Sequence, residues 1–307
     1  MSSDSTPPKL LFPPISYPSQ YKPAPKKDAP KEVPIPDNDY PSSEWLPIYQ
    51  TRTPYVETEI LHLIHEIIRN YIRLSTLSED QVIWPPEGGH DLDEALCNEL
   101  HISDAARSLI RKLPLGNGIS PIFLYQSSEL FQILDEASLR ISRESPSFNE
   151  EKDPPSDRYI LPHDVQLSAG DPETPILVLD TIENTIRVVS ATDDGANYTN
   201  PPNTALERPD EPWYYRNYWP RHAPSFLRMQ LNRIKALDVI PPGSAGLSYI
   251  DFQYEWMRRK IKHALEGTYG WPDTFNQKAW DEDRDRIWEE TEEEYERLGR
   301  PNVLKFL

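Results

Sequence analysis

The chain has 307 residues, with 50 acids against 32 lysines and arginines, a formal charge of −18. That balance opposes binding to nucleic acid and anionic lipid unless a local basic face offsets it, and no run reaches the ~18 apolar residues of a membrane span. A lone cysteine, Cys97, excludes an internal disulfide and points to a reducing compartment, the cytoplasm or nucleus.

Residues 1–54 are crowded with proline ("PPKLLFPPISYPSQYKPAPKKDAPKEVPIPDNDYP"). Proline fixes φ and removes a backbone donor, so this stretch is predicted as a disordered, Pro-rich N-terminal arm. Its short apolar pieces do not make the core of a signal peptide. "WLPIY", Trp45 to Tyr49, has the aromatic area to anchor on a body.

Residues 55–145 read as a helical subdomain. In "VETEILHLIHEIIRNYIRLSTL", Ile60, Ile64, Ile67, Ile68, Tyr71 and Leu74 recur at the helical period, and Thr53-Pro54 supplies a start signal. "LDEALCNEL" and "SDAARSLIRKL" predict two short helices, with Ser103 as N-cap of the second. Cys97 falls in the first of them and reads as a small buried hydrophobe. "IFLYQSSELFQILDEASLRI" resumes a helical pattern through Phe131, Leu134 and Leu139, although its start also suits a strand. Residues 142–158 are polar and proline-bearing, a surface loop.

Residues 158–241 are predicted as an α+β core. "YILPHDVQLSAGDPETPILVLDTIENTIRVVSA" holds short apolar runs separated by turn residues, the main strand signature of the chain. Its central hairpin crosses Glu183-Asn184 with both strands reading as buried rather than alternating, as in the middle of a sheet covered by helices. "SFLRMQLNRIKALDVI" follows as a helix, started by Pro224-Ser225, striped by Phe226, Met229, Ile234 and Leu237, and stopped by Pro241-Pro242. Residues 242–307 add "YIDFQYEWMRRKIKHALEG", capped by Ser248, and an acidic helix ending at Gly299. That last helix has ten acids and three bases between Asp281 and Arg297 over a stripe of Trp280, Ile287, Trp288 and Tyr295. The fold class is therefore α+β: a small antiparallel β-sheet flanked by helices, with helix-rich N- and C-terminal parts.

The chemistry is sparse. Asp180 and Thr181 end the first hairpin strand, where an Asp-Thr pair commonly binds its own turn. His163 and Asp164 are adjacent, and neighbours on an extended strand point to opposite faces, so they do not readily form a base with its orienting acid. "HLIHE" spaces His62 and His65 by three rather than the four of a metalloprotease helix and brings no cysteine pair, so no metal is expected. "PPEGGHD" lacks the Lys-Ser/Thr of a phosphate loop, and there is no G-x-S-x-G. "WYYRNYWPRH" interleaves Trp213, Tyr214, Tyr215, Tyr218 and Trp219 with Arg216 and Arg221. Such residues dominate protein-binding hot spots; they also stack single-stranded bases or roof a sheet.

The Leu-Pro-X-Asp-Val entry at Leu161, the Gly-Asp-Pro turn, the Leu-Asp-Thr strand end and the helix ending "LDVIP" resemble an uncharacterised fungal protein family and, more remotely, the SUKH superfamily. "PYVETEILHLIHEI" and "WPPEGGH" resemble the N-terminal part of the same fungal group. The resemblance implies an α+β core that acts by binding proteins, as immunity or regulatory scaffolds do, and supplies no catalytic residues.

Two readings follow. The favoured one is a non-enzymatic protein-interaction or regulatory protein that binds a protein partner through Trp213, Tyr214, Tyr215, Arg216, Tyr218 and Trp219, with the acidic helix as a platform for a basic partner and no cofactor, nucleic acid or membrane. The alternative is a fungal metabolic accessory enzyme whose site gathers His163, Asp164, Asp180 and His222. Oligomeric state and partner identity stay open.

Overall fold

In the computed structural model the described residues are 53–116, 122–125, 128–131, 133, 135–146, 159–169, 174–190, 214–218, 220–241 and 254–299. The arm up to residue 52, Leu134, Trp213, Trp219 and Ser248 lie outside them. The predicted first helix forms as α1, Glu57–Leu74, and buries Ile60, Ile64, Ile67, Ile68, Tyr71 and Leu74. Its N-cap is Val56, without a side-chain cap. α2 (Glu94–Glu99) is capped by Asp93, and α3 (Asp104–Lys112) by Ser103, whose hydroxyl accepts from the Ala106 N–H at 3.3 Å. Cys97 is wholly buried, and burial raises its thiol pKa, which disfavours the reactive thiolate.

Between them and the sheets run the short pairs β1 (Val82–Ile83) and β2 (Leu115–Gly116). The next segment departs from the helical pattern. Phe123–Tyr125 and Ser128–Leu130 are strands β3 and β4, and only Glu136–Ile141, α4, is helical. The apolar spacing through Phe131 and Leu139 straddles Asp135, which caps α4 by accepting from the Ser138 N–H at 2.7 Å. Upstream of it, pairing with the later strand β6 (Ser168–Ala169) and a bond from the Ser128 hydroxyl to the Pro175 carbonyl fix an extended chain.

The main sheet has the order β5-β7-β8-β9, built from Asp164–Gln166, Ile176–Asp180, Thr185–Val189 and Arg221–His222, all antiparallel. Every residue of β7 and β8 is buried. Alternation sends Val165, Leu177, Leu179, Ile186 and Val188 into the main core, against α5 (Ala223–Lys235) and α1. The opposite face sends Ile176, Val178 and Val189 against Tyr214, Tyr215 and Tyr218. Each such fully buried aliphatic contributes about 1.5–3 kcal/mol by leaving water.

α5 ends six residues before Pro241, not at it. Leu237 takes φ +56, and the Asp238 N–H reaches the Arg233 carbonyl at 2.8 Å, closing the helix by hydrogen bonding. α6 (Glu255–Gly267) and α7 (Gln277–Arg297) complete the chain, and Gly299 follows α7 at φ +73 as expected of a stop. Trp280 and Trp288 of α7 join one continuous core that starts at Ile60. The architecture is α+β, with antiparallel sheets and flanking helices.

Candidate functional site

The β7–β8 turn is made by its own side chains. Asp180 Oδ1 accepts the Ile182 and Glu183 N–H groups, both at 2.8 Å, and the Thr181 hydroxyl donates to the His163 carbonyl at 2.8 Å. Asn184 sits at φ +56, a conformation Asn tolerates. Its amide donates to the carbonyls of Thr53 and Pro54, both at 3.3 Å.

Strand register then sets up a charge problem. Asp164 pairs with Asp180, Asp180 with Thr185 and Thr185 with His222, so these four share one cross-strand row. Like charges directly opposite repel, and both carboxylates are fully buried. Arg216, in a single 3-10 turn over Tyr215–Asn217, resolves it: its Nη1 lies 3.0 Å from Asp164 Oδ2 and 3.0 Å from Asp180 Oδ2. The Tyr215 hydroxyl donates to Asp164 Oδ2 at 2.6 Å and accepts the Leu161 N–H at 2.9 Å. Burial, then the Asp164 charge, push the Tyr215 phenol far above its ordinary pKa, so it stays a donor. Arg187 approaches Asp180 and Glu183, each at 3.8 Å. Arg143 clamps the entry to β5 through the carbonyls of Asp164 at 2.5 Å and Leu161 at 2.6 Å.

Three of the four enzyme candidates therefore meet. His163 Nε2 stands 3.7 Å from Asp164 Oδ1 and 3.8 Å from Asp180 Oδ2, and its side chain is 13 % exposed. The expected separation of His163 from Asp164 fails because β5 begins at Asp164. His163 lies in the preceding turn, where strand alternation does not apply. His222 stays apart, two strand spacings or about 10 Å along the row from Asp180. Its ring lies 2.8 Å from the Thr53 hydroxyl and 2.9 Å from that of Ser225.

The aromatic stretch faces inward. Tyr214, Tyr215, Arg216 and Tyr218 are all buried, and the Tyr218 hydroxyl donates to the Ser190 carbonyl at 3.0 Å. These four roof the far face of the sheet and are not the exposed anchors of a partner surface; Trp213 and Trp219 lie outside the described residues. Sequence reasoning passed over Arg143, Glu183 and Arg187. Arg187 had a signal: a cation inside a buried strand, at the parity that faces Asp180.

Chemically the cluster is closed. All four carboxylate oxygens of Asp164 and Asp180 accept from groups of the chain itself. His163, Asp164 and Asp180 offer three ligand atoms within 4.8 Å of one another. The cation that bridges the two carboxylates is the Arg216 guanidinium.

Two histidines elsewhere carry a pH dependence. Burial lowers the pKa of His65, which stands edge-on to Trp84, and of His222. The unfolded chain then binds more protons than the folded one as pH falls below about 6.5. Stability from these groups is complete above that value and is lost as pH falls toward the folded-state values. Urea midpoints should drop between pH 7 and pH 5 by less in His65→Gln/His222→Gln than in the wild type; equal slopes would refute this.

No family model, curated protein or solved structure matches the chain. Among the described residues no helix is long and apolar enough to cross a membrane.

Proposed function

We propose that this chain is a non-enzymatic protein-interaction or regulatory protein of the cytoplasm or nucleus, with a SUKH-like core and a partner of basic surface. The observation that carries the reading is the closed cluster: where the described residues bring His and Asp together, the carboxylates are consumed by Arg216, Tyr215 and their own turn. A group so committed serves to hold a fold together. The lone Cys97 supports the compartment, and the partner's charge is argued from α7. There Glu289 and Glu293, exposed and one turn apart, form no ion pair with any described residue, while Asp283 and Glu290 are paired with Arg286.

Glu289→Lys/Glu293→Lys should lower capture of the bound protein by tenfold or more, with an unchanged melting curve, since exposed substitutions shift stability by only about 0.5 kcal/mol. Capture from the wild type should also weaken with salt. Equal recovery by the variant, at every salt concentration, would overturn the reading.

The enzyme reading has one observation in its favour, the His163 ring over two aspartates. It requires that His163→Gln abolish consumption of some metabolite while partner capture stays intact.

A further inference from the structure

Arg221 of β9 stands opposite Ile186, so it faces the main core rather than the ion cluster. It is 7 % exposed. Its guanidinium carbon lies 5.7 Å from the centre of the Phe226 ring, and Nη1 is buried with no hydrogen-bond acceptor. Among the described residues no carboxylate pairs with it. Arginine does not shed its proton, and a ring face offsets only part of the desolvation of a buried cation. Other buried arginines around the sheet are served differently, Arg143 by carbonyls and Arg187 and Arg216 by carboxylates.

A neighbour lacks the same thing. Gln230, one helical turn beyond Phe226 and itself buried, has its Nε2 without an acceptor. α5 starts two residues after Arg221 with no acid in its first turn and no side-chain cap, and its Ala223 N–H donates to the Asn184 carbonyl at 2.9 Å. Glu59, whose charge is felt at His222, is paired with Arg228 at 2.9 Å. Around these donors the walls are aromatic: the Tyr125 ring is 5.4 Å from that of Phe226.

We propose that Arg221 and Gln230, with Phe226 and Tyr125, bind a small organic carboxylate. The guanidinium fork matches a carboxylate, the Gln230 amide adds a donor, and the rings take the apolar body. Phosphate brings more charge and no apolar body, and the −18 of the chain opposes it. Among the described residues β9 is an edge strand of its sheet. This site is independent of the partner reading, and loss of protein capture would leave it untouched.

The test is thermal melting of the full chain with sodium benzoate, acetate, inorganic phosphate and neutral benzamide. Benzoate should raise the melting temperature saturably, by about 3–6 °C at tenfold excess over its Kd. Acetate should raise it less, and benzamide and phosphate should leave it unchanged. Arg221→Met should melt no lower than the wild type without benzoate and lose the shift; Gln230→Leu should weaken benzoate about tenfold. The proposal is overturned if millimolar benzoate leaves the melt unchanged, if benzamide or phosphate matches it, or if Arg221→Met keeps the shift. Should Arg221→Met fail to fold, the Arg221 Nε resonance of the wild type decides: it moves with benzoate and not with benzamide, or the proposal is wrong.

Discussion

Arg216→Met should remove about 3–5 kcal/mol of folding stability, the loss seen when one member of a buried ion pair is deleted. Against a typical total of about 5–15 kcal/mol, that brings the protein close to unfolding. The cause is geometric. β5 and β7 set Asp164 directly against Asp180, and both are wholly out of water. Without the guanidinium, Arg187 at 3.8 Å from Asp180 is left to face the pair. Arg216→Lys should recover only part, because a single ammonium does not reproduce the guanidinium fork. Combining Arg216→Met with Asp164→Asn and Asp180→Asn should return more of the stability, since no charge then stays unpaired. Urea unfolding of the three variants measures this. If Arg216→Met lies within about 1 kcal/mol of the wild type, a fully buried charge pair is excluded. The triple variant also bears on function: a scaffold keeps its partner when the cluster is neutral, whereas an enzyme built on it loses turnover while keeping its fold.

What could be read beforehand divides along the range of the interactions. α1, α3 and the β7–β8 hairpin were legible because their signals are local: a helical period, a Ser103 cap, and an Asp-Thr turn that the Asp180 bonds reproduce. The strand at the start of the next segment, β3, was open to either reading, but β4 was not legible, since what holds it extended is pairing with β6, some forty residues away. The site behaved likewise. Asp180 was legible as a turn residue, but its second role needed Arg216, brought over by a connection whose path no local pattern encodes. "WYYRNYWPRH" names the right residues and hides their direction. Tyr, Trp and Arg suit a partner surface and a roof over a sheet equally well, and only burial separates the two. His163 was misjudged by one residue of strand boundary, the least reliable quantity in any such reading.

Trp280→Ala should cost about 3–5 kcal/mol, in the range of buried Trp or Phe truncations. Trp280 is fully buried and meets the Tyr269 ring edge-on at 5.2 Å. It also belongs to a device that joins the two ends of the described chain. The last turn of α1 leaves carbonyls without helical partners, and α7 supplies the donors from one face. Gln277 Nε2 donates to the Arg73 carbonyl at 2.9 Å, Trp280 Nε1 to that of Leu74 at 3.2 Å, and Arg284 Nη1 to that of Ser75 at 2.6 Å. Positions 277, 280 and 284 follow the helical spacing of three and four, so an otherwise acidic and solvated helix is docked by a narrow stripe. Trp280→Phe separates the two contributions. It keeps most of the packing, loses the bond to Leu74, and should cost about 1–3 kcal/mol through the buried carbonyl left behind. Arg284→Ala should lower stability by a similar amount and add to Trp280→Phe less than independently, because both act on neighbouring carbonyls of one turn. Strict additivity in that double-mutant cycle, or a Trp280→Ala loss below about 1.5 kcal/mol, would mean that α7 rests on the body without closing α1.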